Sequence, residues 1–166
     1  DAQPVRDPNQ CPCANGCLGA LPHGIAVPVQ HQPHRPRGED RERGAAHVVA
    51  TTRRLTLREL TTADAPFIWE LVGDPDFIRF IGDRGVRSVD DAGQYLERGP
   101  FDMYARHGFG LWGVELKATG TPIGMCGLLK RDWLDDVDIG YALLPAFRGQ
   151  GFAFEAGRAV LTHAMD

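Results

Sequence analysis

Arg148, Gly149, Gln150 and Gly151 stand between an apolar run that ends at Pro145 and a helical pattern that begins near Phe152. Residues of these types in this order make a cradle for phosphate. Pro145 has no N–H to give to a sheet ladder and so ends the strand. The glycines let the backbone approach a ligand closely and turn successive N–H groups inward. The helix that follows offers first-turn N–H groups without intrahelical acceptors, and its dipole adds about half a positive charge, so a pyrophosphate can be held without a lysine. No Lys-Ser or Lys-Thr follows the loop, which argues against a magnesium-nucleotide site, and no Gly-x-Gly-x-x-Gly is present for a dinucleotide. The plain alternative is a glycine-rich surface turn.

Arg148, Gly151 and Ala153 fit the pattern Arg-x-x-Gly-x-Ala. Gly-Tyr-x-Leu-x-Pro precedes it at Gly140 to Pro145, and Ala-x-Glu-Ala follows at Ala153 to Ala156. Together these residues resemble the acetyl-CoA loop of the GNAT superfamily of N-acetyltransferases, in the branch that includes ribosomal-protein N-terminal acetyltransferases. The resemblance implies an α/β (α+β) fold: a mixed, mainly antiparallel sheet flanked by helices. It implies acetyl-CoA as cosubstrate, no metal, and transfer of an acetyl group to a primary amine on a protein N-terminus or a small molecule. A non-catalytic CoA-binding or protein-interaction module of the same fold is the alternative.

By the same resemblance, backbone groups at Leu143 and Leu144 hold the pantetheine arm like an added strand, with the Leu143 N–H facing the thioester oxygen. The backbone of Arg148, Gly149, Gln150, Gly151, Phe152 and Ala153 takes the pyrophosphate, and the Arg148 side chain adds charge balance. Asp138 is the candidate general base, working through water, against the reading of a surface-turn carboxylate. Phe77, Arg79, Asp83 and Arg84 are candidates for acceptor contacts; as residues alone, Phe77 reads as a core plug and the arginines as solvated or locally paired. Tyr141 either lines the cleft or fills the core. Glu155 reads as structural, complementing the helix dipole. The resemblance covers residues 53–166, and a family domain continues with a parallel strand, a helix and a hairpin. The expectation is a fragment of a longer reading frame, inactive alone.

The remaining chemistry lies in the N-terminal segment. Cys11, Cys13 and Cys17, with His23, His31 and His34, are soft ligands in principle, but their spacing matches no familiar zinc finger. Cys126 reads as a buried filler. Residues 1–50 hold seven of the twelve prolines and no Phe, Trp or Tyr, so they read as a disordered tail, possibly foreign to the domain at 51–166. Five arginines there face five acidic residues, which leaves no nucleic-acid footprint. Residues 51–166 carry thirteen Lys and Arg against seventeen Asp and Glu, a balance that suits a cationic acceptor and serves solubility equally. No stretch reaches about 18 apolar residues, so no membrane partner is expected and a cytoplasmic location is.

The elements that must position the loop follow from periodicity. Residues 54–60 alternate as a half-buried strand, and Thr61 with Asp64 forms a capping box before a helix running to Gly73. Ser88 and Asp91 repeat that signature for a second helix, ended by Gly99 and Pro100, with a loop predicted over residues 74–87. Residues 108–117, 122–130 and 137–144 then predict an antiparallel meander, and residues 151–165 a helix packed on it.

Overall fold

Leu55 and Leu57 are fully buried while Thr56 and Arg58 are half-buried, the alternation of a strand with one face in the core. The computed structural model describes residues 46–165. In it this strand is the second of a five-stranded antiparallel sheet whose order in space is its order in the chain. The strands are β1 (Val48–Thr51), β2 (Leu55–Arg58), β3 (Leu111–Leu116), β4 (Pro122–Lys130) and β5 (Val137–Leu143). Between β2 and β3 come α1 (Ala65–Gly73), α2 (Pro75–Phe80), α3 (Val89–Leu96) and α4 (Asp102–His107); after β5 comes α5 (Phe152–Met165). No described helix is long and apolar enough to cross a membrane.

Each face of the sheet has its own core. On one, Phe152, Ala156 and Val160 of α5 pack with Leu55, Leu57, Trp112, Val114 and Leu143. On the other, Ile68, Leu71, Val72, Ala92 and Leu96 of α1 and α3 pack with Leu111, Met125 and Ala142. Cys126 is buried, and burial pushes its thiol up to about 12, so it is an inert filler. The strands come close together where side chains are missing: a Cβ on Gly127 would lie 1.9 Å from the Gly110 carbonyl oxygen.

Three expectations are corrected. The sheet begins inside the segment read as tail, because Val48 to Thr51 find partners on β2. Residues 1–45, with Cys11, Cys13, Cys17 and the histidines near them, lie outside the described residues. The predicted loop after Gly73 contains a helix, since Asp74 caps α2 by accepting the N–H groups of Asp76 (3.2 Å) and Phe77 (3.1 Å), and Pro75 takes the first helical position. Gly99 and Pro100 do not end α3 either. The chain widens into a π-helical turn over Glu97–Phe101, which accommodates the proline ring and its missing donor, and continues as α4 to a left-handed stop at Gly108.

The start of α1 is fixed by a buried ion cluster. Arg58 on β2 donates to both oxygens of Asp64 (2.8 and 2.7 Å) and to Glu115 on β3 (2.7 Å). Asp64 in turn accepts the Thr61 N–H at 2.7 Å, completing the capping box.

Candidate functional site: an edge-strand cleft and its amide-lined loop

β5 is the last strand of the sheet, so one side of its backbone has no neighbour among the described residues. The phase of its ladder is set by the Leu144 N–H, which donates to the Ile123 carbonyl at 2.9 Å. With Gly124 opposite Leu143 and Gly127 opposite Gly140, the N–H and C=O groups of Ile139, Tyr141 and Leu143 face the open edge. The Leu143 N–H thus points away from β4. The Leu144 N–H is taken by Ile123 and its carbonyl accepts the Phe147 N–H at 3.0 Å, so it has no N–H to offer an added strand.

A cleft of about 540 Å³ wraps this edge. One wall is α2 and its end, with Asp76, Phe77, Phe80 and Ile81; the floor is Ile139 to Leu143 with Leu111 and Met125; the far end is Phe147, Arg148, Gly149, Gly151, Phe152 and Ala153. At that end Gly149 (φ +72°) and Gly151 (φ +77°) hold left-handed conformations. The first helical bond of α5 is Glu155 N–H to the Gly151 carbonyl. The amides of Gly149, Gln150, Gly151, Phe152, Ala153 and Phe154 therefore have no acceptor among the described residues, six consecutive donors beside the cleft. The Gln150 side chain does not line the cleft; its Nε2 donates to the Ala146 carbonyl at 2.8 Å and closes the turn.

The Arg148 guanidinium is committed elsewhere. Its Nε donates to the Leu143 carbonyl (2.9 Å), its Nη2 to Asp74 (2.6 Å) and its Nη1 to Asp76 (2.6 Å). Burial alone would raise the Asp74 carboxyl, but Arg148 and the α2 amides outweigh it and hold it below the ordinary range.

The other predicted residues are dispersed. Asp138 is buried against Arg131, whose Nε donates to its Oδ2 at 2.8 Å and whose Nη2 lies 2.8 Å from the same oxygen, and it does not line the cleft. The expected water-linked base is instead half of an ion pair. Phe77 is both core and cleft wall, and Tyr141 lines the cleft at 45% exposure. Arg79 lies over the Phe80 ring. Asp83 pairs with Arg87, and Arg84 donates to the Ile81 carbonyl at 3.2 Å. These three close their own loop and do not enter the cleft lining. Among the described residues no group of three or more His, Cys, Asp or Glu is arranged to hold a metal.

Sequence reasoning missed the flank that β1 and β2 supply. Glu155 accepts the Thr52 hydroxyl (2.6 Å) and the Arg54 N–H (2.9 Å) on one oxygen and Arg54 Nε (2.6 Å) on the other, bonds that tie the start of α5 to the β1–β2 turn. Partners about a hundred residues apart leave no local signal. Burial would raise the Glu155 carboxyl, yet these donors bring it down to about 2. A carboxyl depressed in the folded state adds stability above its ordinary value of 4.5 and loses it as pH falls toward 2. Glu155→Gln is expected to cost about 2 kcal/mol at pH 7, with the gap to wild type narrowing as pH falls below 4.5 and closing only near pH 2 in urea titrations. A gap unchanged with pH would disprove this account.

A second groove of about 790 Å³ runs between that turn and α5 and meets the first cleft at Gly151. It holds Arg53 and Arg158, neither paired with a carboxylate among the described residues, and Phe154, which is 73% exposed.

Comparison with known proteins agrees with this geometry. The family model described as "Acetyltransferase (GNAT) domain" matches residues 54–166. An acetyltransferase structure from Agrobacterium tumefaciens superposes with a TM-score of 0.61 at 23% identity, over 78% of this chain and 72% of its own. A GNAT-family acetyltransferase from Bacillus anthracis gives 0.56 at 22% identity, over 68% of this chain and 63% of its own, so this chain spans less than two thirds of that relative. RimL, a ribosomal alpha-N-protein acetyltransferase, gives 0.54 at 16% identity, over 78% and 68%. These likenesses share the fold, and the family match extends from β2 through the loop into α5: the chain belongs to the GNAT acetyltransferase family.

Proposed function

We propose that the protein of which this chain is part is an acetyl-CoA-dependent N-acetyltransferase whose acceptor is a primary amine, on a protein N-terminus or a small molecule. The observation that carries this reading is the run of six amides, Gly149 to Phe154, without acceptors among the described residues, at the end of an apolar cleft along the β5 edge. The amides suit a diphosphate. The edge groups of Tyr141 and the Leu143 N–H suit the amide-bearing pantetheine arm as an added strand. Amine attack on the thioester carbonyl then forms the C–N bond while the C–S bond breaks, and the proton lost by the amine nitrogen balances the one taken up by the thiolate. Holding the amine beside the thioester supplies on the order of 7 to 11 kcal/mol of the barrier.

Calorimetry of the full chain with CoA tests the reading. Micromolar binding is expected, and no binding at millimolar CoA would refute it. The second groove adds a sharper expectation. An exposed aromatic and two guanidinium groups without a carboxylate partner among the described residues suit the adenine and 3′-phosphate of CoA, so CoA should bind about tenfold tighter than its 3′-dephospho form. Arg53→Ala with Arg158→Ala should remove that difference. Equal affinity for both forms in the wild type would show that the groove is not used.

Asp138 favours a second reading. A CoA-binding module without turnover needs no base, and the carboxylate expected for that role is bound to Arg131. A chain that binds CoA, yet releases no thiol from acetyl-CoA with any amine or free peptide N-terminus offered, would support it.

A further inference from the structure

We propose that Arg148 acts as a positioning residue, tying α2 to the phosphate loop, and not as a ligand of the phosphates. The inference builds on the cofactor reading above and assigns the arginine of the loop a different task from the one its place in the motif suggests. Nε, Nη1 and Nη2 each have a protein acceptor between 2.6 and 2.9 Å, drawn from the end of β5 and from two carboxylates on α2. Three of its five N–H donors are thereby used, and the two that remain, one on each Nη, stand beside the Asp76 and Asp74 carboxylates. A phosphate brought to those two donors would be repelled by the acidic pair next to them, and taking more of the guanidinium would mean displacing Asp74 or Asp76.

What the tie holds is specific. Asp74 caps α2, and α2 with its end presents Phe77, Phe80 and Ile81 to the cleft opposite β5. Phe80 is 69% exposed and α2 is only six residues long, so its apolar contacts alone fix it weakly. The Arg148 fork therefore sets the spacing between the acceptor-side wall and the loop that carries the diphosphate. Phosphate binding steadies the loop, and through Arg148 it steadies the wall on which an acceptor would rest. CoA and acceptor are coupled by one side chain that touches neither.

Two opposite variants separate the possibilities. Asp74→Asn with Asp76→Asn keeps a good helix cap and leaves Arg148 in place; Arg148→Gln removes the other half of the tie. If Arg148 is a tie, both variants behave alike. Amide hydrogen exchange over residues 77–82 accelerates at least tenfold in each, CoA no longer slows that exchange as it does in the wild type, and CoA affinity shifts by the same factor in both. Exchange in β3 and β4 stays unchanged, which a general loss of stability would not allow. Arg148→Lys, with one compact charge for three acceptors, restores the protection only in part. If Arg148 is instead a phosphate ligand, Arg148→Gln weakens CoA binding at least tenfold while the aspartate pair leaves it equal or tighter, and the proposal is overturned. Unchanged exchange over residues 77–82 in both variants overturns it as well. A wild type that binds no CoA defeats the cofactor reading, and the tie is then still judged by the exchange of the two variants.

Discussion

Replacing Gly149 and Gly151 together with valine is expected to weaken CoA binding about a hundredfold in calorimetry, the largest functional effect of any change in the loop. Space is not the reason. A Cβ on Gly149 meets nothing within 4 Å, and one on Gly151 comes only to 3.6 Å from Arg54 Nη2. Conformation is the reason, because φ of +72° and +77° costs an L-residue roughly 1 to 2 kcal/mol each, and more for a β-branched one. The chain escapes that cost by rotating to negative φ, which swings the neighbouring peptide planes and takes their N–H groups out of the cradle. Binding then requires returning to the strained form, so the apparent affinity falls by its population, and two such penalties amount to about two orders of magnitude. Gly120→Val is the control: φ there is +68°, nothing lies within 4 Å, and the turn is between β3 and β4, so the same backbone strain should leave CoA binding untouched. If the double variant keeps its affinity within threefold, the amides of this loop do not hold the diphosphate.

Much of the scaffold was legible because its signals are local. Residues 122–130 read as a strand from end to end, and β4 is Pro122–Lys130. The Thr61 and Asp64 pair and the Ser88 and Asp91 pair mark helix starts by bonds that span three residues, as the structure shows at both. Misreadings arose where one residue type serves two geometries. Asp74-Pro75 falls in the loop predicted over residues 74–87, although Asp followed by Pro is also a cap followed by a first helical position. Pro100 was read as a stop, although a widened turn absorbs it. The site divides the same way. The glycine conformations follow from the loop's own sequence. The partners of Arg148 at Asp74 and Asp76 and of Glu155 at Thr52 and Arg54 depend on how the sheet brings distant segments together, and that of Asp138 at Arg131 on the register of the β4–β5 hairpin. Charge identity was visible; charge pairing was not.

The largest stability effect should come from Arg58→Ala, expected to lower the unfolding free energy by about 3 to 5 kcal/mol in urea titrations. The side chains of Arg58, Asp64 and Glu115 are 15%, 9% and 17% exposed, so the two carboxylates depend on the guanidinium and not on water for compensation. Burial would raise the Asp64 carboxyl, yet Arg58 and the Thr61 donors hold it below its ordinary value, and the same contacts raise Arg58 well above its own. In the wild type this carboxyl contributes stability above its ordinary range and loses it as pH falls through the depressed value. In the variant the sign reverses, because an uncompensated buried carboxylate is relieved by protonation, so mild acid should narrow the deficit. Arg58→Lys should recover less than half, since one ammonium cannot serve both oxygens of Asp64 and Glu115 together. A loss below about 1 kcal/mol would mean that desolvation of the three charges cancels their attraction. The consequence reaches the cleft: Asp64 fixes the first turn before α1, α1 leads directly into the Asp74 cap of α2, and α2 is the wall that faces β5. Weakening an ion cluster on the far side of the first helix should therefore loosen residues 77–82 in hydrogen exchange even where the chain remains folded.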